Sequence, residues 1–455
     1  MGARANERVA VLGAGPAGLT AAYRLARGGL RVTVLTPSAR IGEHVRRESD
    51  PPTCILGCHG ATWALLHALG VRPDQPAFAE TQLEFLLPSG RLVRYPRTRF
   101  PTPIQQLLTI GRFSGLRAAE RWKLLSWLEQ LWEGSVELPA DLEQRTAEGW
   151  LDSLSHSPSS RQSVWAPLAR WLTGNDLQHL SADAFVTALK PVFLSHAADS
   201  RIWVPKQVWD RAFVQPVTEA LTQAQATVRA GTRVVRFEYH DDRIIGLRVN
   251  DGTSLQADWY VAALPPRGLT GLLPERWLSR YAYFQQIVDL ETLSSTVLQV
   301  RTEESMTSPR HILMGAGPFH WIACKPSQFD RGLVATVTMP QDPAVTEPIQ
   351  RVSALLRSLN LLQPDRHITG FRQEDGAHAW LALPPGTKVR RPLQRSPIRN
   401  LLLAGAWTDT GWPANLESAI VSGERCAEII LARRSPALAF LRSYFSAVDN
   451  VRYHS

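Results

Sequence analysis

Residues 8–36, RVAVLGAGPAGLTAAYRLARGGLRVTVLT, decide the class of fold. The apolar run 9–12 has the length of a buried strand, and apolar residues across 19–26 recur at helical spacing. The run 32–35 has the composition of a second strand. The stretch therefore predicts a strand, a turn, a helix and a parallel strand of an α/β protein.

A glycine motif lies where the first strand ends. Gly13, Gly15 and Gly18 form G-x-G-x-x-G, in which the glycines give a tight turn, close approach of a pyrophosphate and tight packing of helix on strand. The following helix directs its N-terminus at the phosphates. In this context the motif predicts dinucleotide binding. An acidic residue normally ends the second strand and holds the ribose, but Thr36 stands there, and its hydroxyl is a weaker acceptor.

The C-terminal stretch 401–423, LLLAGAWTDTGWPANLESAIVSG, carries the second signal. A strand-like run breaks at Gly405, and a helix with one small or apolar face follows. Pro413 suits the first position of that helix, which then presents free N–H groups and a partial positive charge. The pattern fits a helix end that faces an electron-rich group, or a plain loop and helix packed on a sheet.

With these two stretches, the chain resembles flavin oxidoreductases of the amine oxidase and phytoene desaturase superfamily. Within it the resemblance points to the hydroxysqualene dehydroxylase group, the squalene-associated FAD-dependent desaturases. Three further segments look similar: 101–108 (PTPIQQLL), 164–185 (VWAPLARWLTGNDLQHLSADAF) and 257–266 (ADWYVAALPP). The resemblance implies an α/β fold, with a Rossmann-type FAD-binding domain and an inserted substrate domain made of a mixed β-sheet and a helical cap.

The resemblance also implies a set of FAD contacts. They fall on Gly13, Gly15, Pro16, Ala17 and Gly18 in the first turn, on Thr36, Arg40 and Gly42 after the second strand, on Val234 beside the adenine, and on Gly405, Trp407, Pro413, Asn415 and Leu416 in the C-terminal flavin motif.

Three departures from the family pattern fall on these cofactor positions. Thr36 replaces the ribose acid, Glu43 and His44 replace a Gly-Arg pair, and Ala406 replaces an aspartate. Each lost contact weakens FAD binding by about 1–3 kcal/mol. Candidate replacements are Arg40, Arg46 and Arg47 for the pyrophosphate and Asp409 for the ribityl chain.

The expected domains alternate along the chain. They are a first segment of the FAD-binding domain at 1–96, a helical cap facing substrate and membrane at 97–204, a second FAD-binding segment at 205–290, a substrate-domain β-sheet at 291–392, a third FAD-binding segment with the C-terminal flavin motif at 393–434, and a C-terminal tail at 435–455. Turn residues predict hairpins within 205–290, and a helix is predicted near 345–362.

Composition indicates the cellular compartment and the kinds of ligand that the protein can bind. The fractions of hydrophobic (44%) and charged (20%) residues are those of a folded protein. Four scattered cysteines indicate a reducing compartment. Cys54, Cys58 and His59 in CILGCH could approach a metal, but the spacing and the lack of a second pair favour buried thiols. The chain lacks a signal-peptide pattern and a long apolar run, so we expect a cytoplasmic protein without a membrane anchor.

The charge of +9 predicts an anionic partner. The helical region 97–200 interleaves six tryptophans with basic residues, as a helix lying in an anionic membrane surface does. A cap whose apolar face is core remains the alternative. Nucleic acid is not expected, because no basic stripe carries a recognition motif.

The resemblance implies hydride transfer between flavin N5 and a long isoprenoid. The reaction would reduce hydroxysqualene to squalene or desaturate a carotenoid. No Ser-His-Asp arrangement or phosphate-binding lysine loop competes, and no electron partner is assigned. His59 is the candidate acid for hydroxyl departure, beside a structural role for it, and no catalytic residue is assigned. The alternative function is a non-catalytic relative that binds an isoprenoid or a partner enzyme as a scaffold.

Overall fold

The computed structural model describes residues 7–42, 54–72, 78–96, 104–132, 139–193, 196, 198–206, 209–327, 332–340 and 347–433. The strands are β1 (Arg8–Leu12), β2 (Arg31–Leu35), β3 (Ile55–Leu56), β4 (Phe78–Thr81), β5 (Leu83–Leu86), β6 (Leu92–Arg94), β7 (Ile202–Pro205), β8 (Thr227–Arg229), β9 (Val234–His240), β10 (Arg243–Val249), β11 (Ser254–Leu255), β12 (Trp259–Ala262), β13 (Thr292–Thr302), β14 (Arg310–Met314), β15 (Trp321–Pro326), β16 (Leu333–Pro340), β17 (Ile368–Leu381) and β18 (Leu401–Leu403).

The α-helices are α1 (Pro16–Arg27), α2 (Gly60–Ala68), α3 (Ile104–Arg112), α4 (Ala118–Trp132), α5 (Ala147–Ser153), α6 (Pro158–Ser160), α7 (Ala166–Thr173), α8 (Ala182–Phe193), α9 (Gln215–Gln223), α10 (Pro266–Thr270), α11 (Glu275–Arg280), α12 (Ala282–Val288), α13 (Pro348–Ser358) and α14 (Leu416–Ala432). Shorter 3-10 or π-helical turns lie at Leu142–Gln144, Arg161–Trp165, Asp210–Val214 and Lys388–Arg390.

A parallel sheet of five strands, in the order β18-β12-β1-β2-β8, joins the two ends of the described chain. The strand, helix and strand predicted from residues 8–36 are confirmed as β1, α1 and β2. Helices α1 and α14 pack closely, since a Cβ on Gly423 would lie 2.3 Å from the Ala17 carbonyl oxygen. The glycine turn and the C-terminal motif therefore lie side by side in space.

Two further sheets follow the sequence patterns closely. The hairpins predicted within 205–290 are confirmed as the three-stranded sheet β11-β10-β9. The strands predicted after residue 290 are confirmed in a seven-stranded mixed sheet of order β17-β13-β16-β15-β14-β5-β6. In this sheet β5 pairs with β14 in parallel, and the remaining pairs are antiparallel. Helix α13 accounts for the predicted helix near 345–362.

A helical cap, α3 to α8, lies between the early strands and β7. Its Trp150, Trp165 and Trp171 are buried, and they belong to the same apolar core as β5 of the seven-stranded sheet. Strand β7 returns from the cap and pairs with β3 and β4. Among the described helices, none combines the length and the apolar character that crossing a bilayer requires.

The C-terminal helix starts later than its sequence indicates. The pattern predicts Pro413 at the first helical position, and that prediction is wrong, because α14 begins at Leu416 with Asn415 as its cap. The Asn415 side-chain oxygen accepts a hydrogen bond from the Ser418 N–H at 2.9 Å, as an N-cap asparagine does. Pro413 lies in the preceding turn, where its carbonyl accepts from the Asn415 N–H at 2.8 Å.

Candidate flavin site

The three glycines after β1 have different surroundings. Gly13 has a φ of +109°, and a Cβ there would lie 2.2 Å from the Ala263 carbonyl oxygen. A Cβ on Gly18 would lie 2.0 Å from the Gly13 carbonyl oxygen, whereas one on Gly15 would meet nothing within 4 Å. Gly13 and Gly18 are thus required by packing, and Gly15 borders open space. This is the arrangement that a pyrophosphate-binding turn needs.

The start of α1 is available to an anion. Gly15 is its N-cap and provides no side-chain hydrogen bond, and the first turn contains no acidic residue. Pro16 occupies the first helical turn, where a missing N–H costs nothing, and Ala17 is buried. The predicted residues of the first turn are thus brought together at one uncapped helix end, and such an end favours negative charge.

The end of β2 lies at the same sheet edge. Thr36 is buried; its N–H donates to the Arg229 carbonyl at 3.2 Å and its carbonyl accepts from the Thr232 N–H at 2.8 Å. Val234 begins β9 directly afterwards and is half-buried. Thr36 and Val234 therefore lie near each other, as a ribose and an adenine contact would require.

The segment after β2 is described only up to residue 42. Arg40 is exposed, and Gly42 is buried with a φ of +63°. Glu43, His44, Arg46 and Arg47, which carry the predicted loss and replacement of pyrophosphate contacts, lie outside the described residues.

The C-terminal motif forms a turn after β18, beside the glycine turn. Gly405 has a φ of +149°, and a Cβ there would lie 2.5 Å from Trp407 Nε1. The buried Trp407 side chain donates from Nε1 to the Leu264 carbonyl at 3.0 Å. Since Leu264 follows Ala263, which contacts Gly13, the end of β12 connects the two predicted cofactor turns.

Backbone amides can replace the side chain that Ala406 lacks. Ala406 has no polar side-chain atom, and the loss of a side-chain contact to the ribityl group stays a prediction. Among the described residues, the N–H groups of Ala406 and Trp407 have no hydrogen-bond partner. Asp409, the candidate replacement, accepts the Gly411 N–H at 3.1 Å with its carboxylate. The turn therefore offers amide donors to a ligand.

A buried carboxylate connects α14 to α2. Glu417 lies in the first turn of α14 and is 2% exposed. It accepts hydrogen bonds from the Ala61 N–H at 2.8 Å, the Thr62 N–H at 2.9 Å and the Thr62 hydroxyl at 2.6 Å. Burial raises the pKa of Glu417, and these hydrogen bonds oppose that rise. Glu417 thus caps α2 with its side chain while it belongs to α14.

His59, the candidate acid, lies at the start of α2. It is 4% exposed, and its ring makes an edge contact with Trp412 at a centroid distance of 5.7 Å. Nδ1 accepts from the Leu56 N–H at 3.3 Å, which assigns the proton to Nε2, a buried atom with no partner among the described residues. Burial lowers the pKa of His59 to about 3. The ring is therefore neutral near pH 7 and can donate a hydrogen bond, but it is not charged to act as an acid.

An apolar cavity of about 130 Å³ lies within the cap. Its walls come from β5, the cap helices and the turns between them, with Phe85, Phe113, Trp150, Leu168 and Phe193 among them. Lys123 and His156 are its titratable members together with Tyr95, whose pKa burial raises. A space of this size and polarity suits a slender apolar chain segment.

Within the described residues, no three His, Cys, Asp or Glu side chains cluster as metal ligands would. Burial raises the pKa of Cys54 to about 12 and of Cys58 further. Both cysteines are therefore protonated near neutral pH.

The parallel sheet, the glycine turn and the adjoining C-terminal turn define a dinucleotide-binding oxidoreductase fold, and the residues present fit FAD: Gly15 borders open space, α1 is uncapped and a buried His59 Nε2 is unpartnered within the described chain. Residues 16–431 match the family described as flavin containing amine oxidoreductase, and the chain belongs to that family. The protein is an FAD-dependent oxidoreductase.

The similar proteins agree with this membership. The chain is 24% identical to zeta-carotene desaturase of Synechocystis sp., covering 94% of this chain and 98% of the relative. It is 25% identical to 15-cis-phytoene desaturase of Synechococcus elongatus, covering 94% and 96%. Among solved structures, a putrescine oxidase matches with a TM-score of 0.70 at 17% identity, covering 94% of this chain and 99% of the oxidase. The last likeness concerns the fold alone.

Proposed function

We propose that FAD lies along the carboxyl edge of the parallel sheet. The pyrophosphate would bind at Gly15, Pro16, Ala17 and the other members of the first turn, and the adenosine near Thr36 and Val234. Arg40 and Gly42 adjoin the phosphates in this proposal. The uncapped α1 and the open space at Gly15 support it.

The flavin ring, in this proposal, lies toward the C-terminal motif. Gly405, Trp407, Pro413, Asn415 and Leu416 form the turn and the helix start beside it. The partner-free amides of Ala406 and Trp407 in the described chain are donors for the ribityl and phosphate oxygens. The Asn415 side-chain oxygen caps α14, and the Asn415 N–H and carbonyl are hydrogen-bonded to Pro413 and Ala419, so the side-chain NH2 group is what remains for the cofactor.

We propose that the substrate is a long isoprenoid. The observation that carries this proposal is the apolar cavity in the cap, whose lining is almost entirely aromatic and aliphatic. The cavity of about 130 Å³ accommodates a segment of such a chain, and the remainder extends from it. Its walls hold an apolar chain without hydrogen bonds and exclude water from the enclosed segment.

The chemistry we propose is hydride transfer. Bound FAD supplies N5, which accepts a hydride in desaturation or donates one in reduction. In desaturation, one carbon of the substrate gives the hydride, its neighbour loses a proton, and a C=C bond forms; an external acceptor then takes the two electrons. The desaturase relatives favour this direction with a carotenoid-type substrate. Reduction of hydroxysqualene to squalene, with loss of hydroxide as water, is the opposite direction on the same isoprenoid class.

The cap also supports a proposal about the membrane. Trp122 is 73% exposed and Leu107 is 40% exposed, on α4 and α3. Arg121 and Lys123 flank Trp122, and Lys123 also lines the cavity. Exposed rings beside cations favour an anionic lipid surface. We propose a peripheral protein of the cytoplasmic membrane face that takes its substrate from the bilayer.

The direction of transfer can be tested with purified protein loaded with FAD. Phytoene or zeta-carotene in anionic liposomes, with a quinone acceptor, should give a product with a longer conjugated system and a red-shifted spectrum. Hydroxysqualene with dithionite-reduced flavin tests the opposite direction by mass analysis. If the protein converted hydroxysqualene and neither carotenoid, reduction would replace desaturation as the proposed reaction. If it converted none of these substrates, the isoprenoid proposal would be rejected.

A cavity variant adds a control to this assay. Leu189 lines the cavity and is half-buried, so Leu189→Trp should narrow the cavity and reduce turnover. Val288→Trp adds the same ring at a site that is 58% exposed and away from the cavity lining. Equal turnover by the two variants would contradict the assignment of the cavity to substrate.

A further inference from the structure

A single arginine, Arg391, donates hydrogen bonds to four carbonyl groups of the C-terminal turn. The Arg391 guanidinium donates to the carbonyls of Trp412 at 2.7 Å, Thr408 at 2.7 Å, Ala406 at 3.0 Å and Trp407 at 3.3 Å. Nε, Nη1 and Nη2 all donate, so most of the N–H groups of the planar guanidinium form hydrogen bonds. A guanidinium in this position fixes the relative placement of four peptide groups.

Two other side chains bind the carbonyls that Arg391 does not reach. Arg425 of α14 donates to the Asp409 and Thr410 carbonyls, each at 3.0 Å. Gln394 Nε2 donates to the Asp409 carbonyl at 3.0 Å and to the Thr408 hydroxyl at 3.0 Å. The carbonyls of residues 406–410 and 412 are therefore all directed toward side-chain donors.

This orientation has a consequence for the amide groups. Peptide carbonyls turned toward the arginines leave N–H groups of the same turn facing elsewhere, as in the backbone concavities that bind anions. In the described part of this turn the N–H groups of Ala406, Trp407 and Thr410 have no hydrogen-bond partner, and that of Trp407 shares its peptide group with the Ala406 carbonyl that Arg391 binds. Ala406 is also the position at which the side-chain contact to the cofactor is missing.

The charge of Arg391 is not neutralised by contact. Among the described residues, its hydrogen bonds go to carbonyls and none to a carboxylate. Burial lowers the pKa of Arg391 to about 10, and Asp409 opposes that fall. The group is still protonated near pH 7. A positive charge therefore lies behind the turn whose amides face the cofactor site.

We propose that Arg391 is a positioning residue for FAD: its guanidinium holds the carbonyls of Ala406, Trp407, Thr408 and Trp412 on one side, and the amides of Ala406 and Trp407 then bind the cofactor. The proposal rests on the FAD placement given above. It explains how this chain holds FAD without the missing side-chain contact at Ala406. Lysine cannot replace the group, because an ammonium lacks the planar fork that spans four carbonyls.

The test compares FAD binding by apoprotein variants, measured by quenching of flavin fluorescence. Arg391→Ala and Arg391→Lys should weaken FAD binding at least about tenfold. Arg390→Ala is the matched control, because Arg390 is the exposed neighbour of Arg391. A dissociation constant for Arg391→Ala within about threefold of the control would overturn the proposal.

Chemical rescue separates positioning from a general loss of stability. Millimolar methylguanidinium should restore FAD affinity to Arg391→Ala and leave Arg391→Lys and the parent protein unchanged. Loss of affinity without any rescue, accompanied by a lower unfolding temperature of the apoprotein, would assign Arg391 to folding alone and reject the positioning role.

A measurement on the apoprotein distinguishes the positioning role of Arg391 from the proposed placement of FAD. Hydrogen exchange of apoprotein should accelerate at residues 405–413 in Arg391→Ala and remain unchanged in β1. If the parent protein bound no FAD, the FAD placement would fail, and the exchange result would still decide whether Arg391 orders the turn. Unchanged exchange at 405–413 would overturn the positioning role.

Discussion

At the scale of single residues, two glycines of one motif serve different purposes. A side chain on Gly18 would collide with the backbone of Gly13 at 2.0 Å, so this position is constrained by the fold itself. Gly15 has an ordinary φ of −81° and open space beside its Cβ position. The sequence motif predicts both roles in general terms, and the structure assigns each role to its residue.

Substitution by alanine should separate these roles. Gly15→Ala should leave the unfolding temperature of apoprotein nearly unchanged and weaken FAD binding about tenfold or more, because the methyl group enters the open space where we propose that the pyrophosphate binds. Gly18→Ala should lower the free energy of unfolding by about 3 kcal/mol, because backbone must move. Calorimetry of apoprotein and FAD titration measure both effects. A strongly destabilised Gly15→Ala would contradict this distinction.

At the scale of elements, a helix or strand is predicted correctly from the sequence when the contacts that determine it lie within its own stretch of chain. Strands β9, β10 and β13 are predictable because their β-branched and aromatic residues, and the turn residues beside them, are local features of the sequence. The predicted start of α14 is misplaced, because the Asn415 cap bonds the Ser418 N–H and so outweighs the suitability of Pro413. Arg391 has no local signal at all, since its partners lie 15–21 residues further along the chain.

The carboxylate that joins α14 to α2 gives a prediction at this scale. Glu417→Gln should lower the free energy of unfolding by about 1–3 kcal/mol, because an amide cannot accept all the hydrogen bonds from the start of α2. Glu424→Gln is the control: it breaks a partly exposed ion pair with Arg24 and should cost at most about 1 kcal/mol. Urea unfolding of the apoproteins measures the difference. Equal losses would mean that the carboxylate does not hold the two helices together.

At the scale of the whole molecule, the segment 381–391 joins the cap to the C-terminal turn. Asn175 of the cap donates to the Leu381 carbonyl at 3.0 Å and accepts from the Leu383 N–H at 3.0 Å. Glu143 accepts the Lys388 N–H at 2.8 Å, three residues before Arg391. The cap, where we propose that substrate binds, is therefore connected to Arg391 through about ten residues of backbone. No periodicity in the sequence indicates this connection, because it consists of side-chain contacts to irregular backbone.

Removal of the Asn175 amide should loosen this connection. Asn175→Ala leaves buried groups of Leu381 and Leu383 unpaired, so we expect a loss of about 2–4 kcal/mol in unfolding free energy and faster hydrogen exchange across 381–391. Asn250→Ala removes a similar number of hydrogen bonds on an exposed hairpin, where water replaces them. If exchange at 381–391 rose equally in both variants, the segment would not depend on the cap.

Acid stability follows from histidines buried in separate regions of the molecule. Burial lowers the pKa of His59 to about 3 and of His311 to about 4, and both side chains are at most 4% exposed. The unfolded chain takes up protons at these groups near pH 6.5, whereas the folded chain does not. Stability from the two histidines is therefore present above about pH 6.5 and is lost as pH falls toward 4 and then 3. His320, half-buried with a pKa lowered to about 4, acts in the same direction.

The two most buried histidines should together produce a slope of about 2.7 kcal/mol per pH unit once the unfolded chain is protonated. Glu417 acts in the opposite direction, because its raised pKa favours the folded state as acid protonates it, but it is one group against two. Urea unfolding of apoprotein between about pH 7 and 4.5 measures the slope. The double variant His59→Gln and His311→Gln cannot take up these protons, so its slope should be smaller by that amount. A variant with the parent slope would mean that the two imidazoles are hydrated and titrate normally in the folded chain.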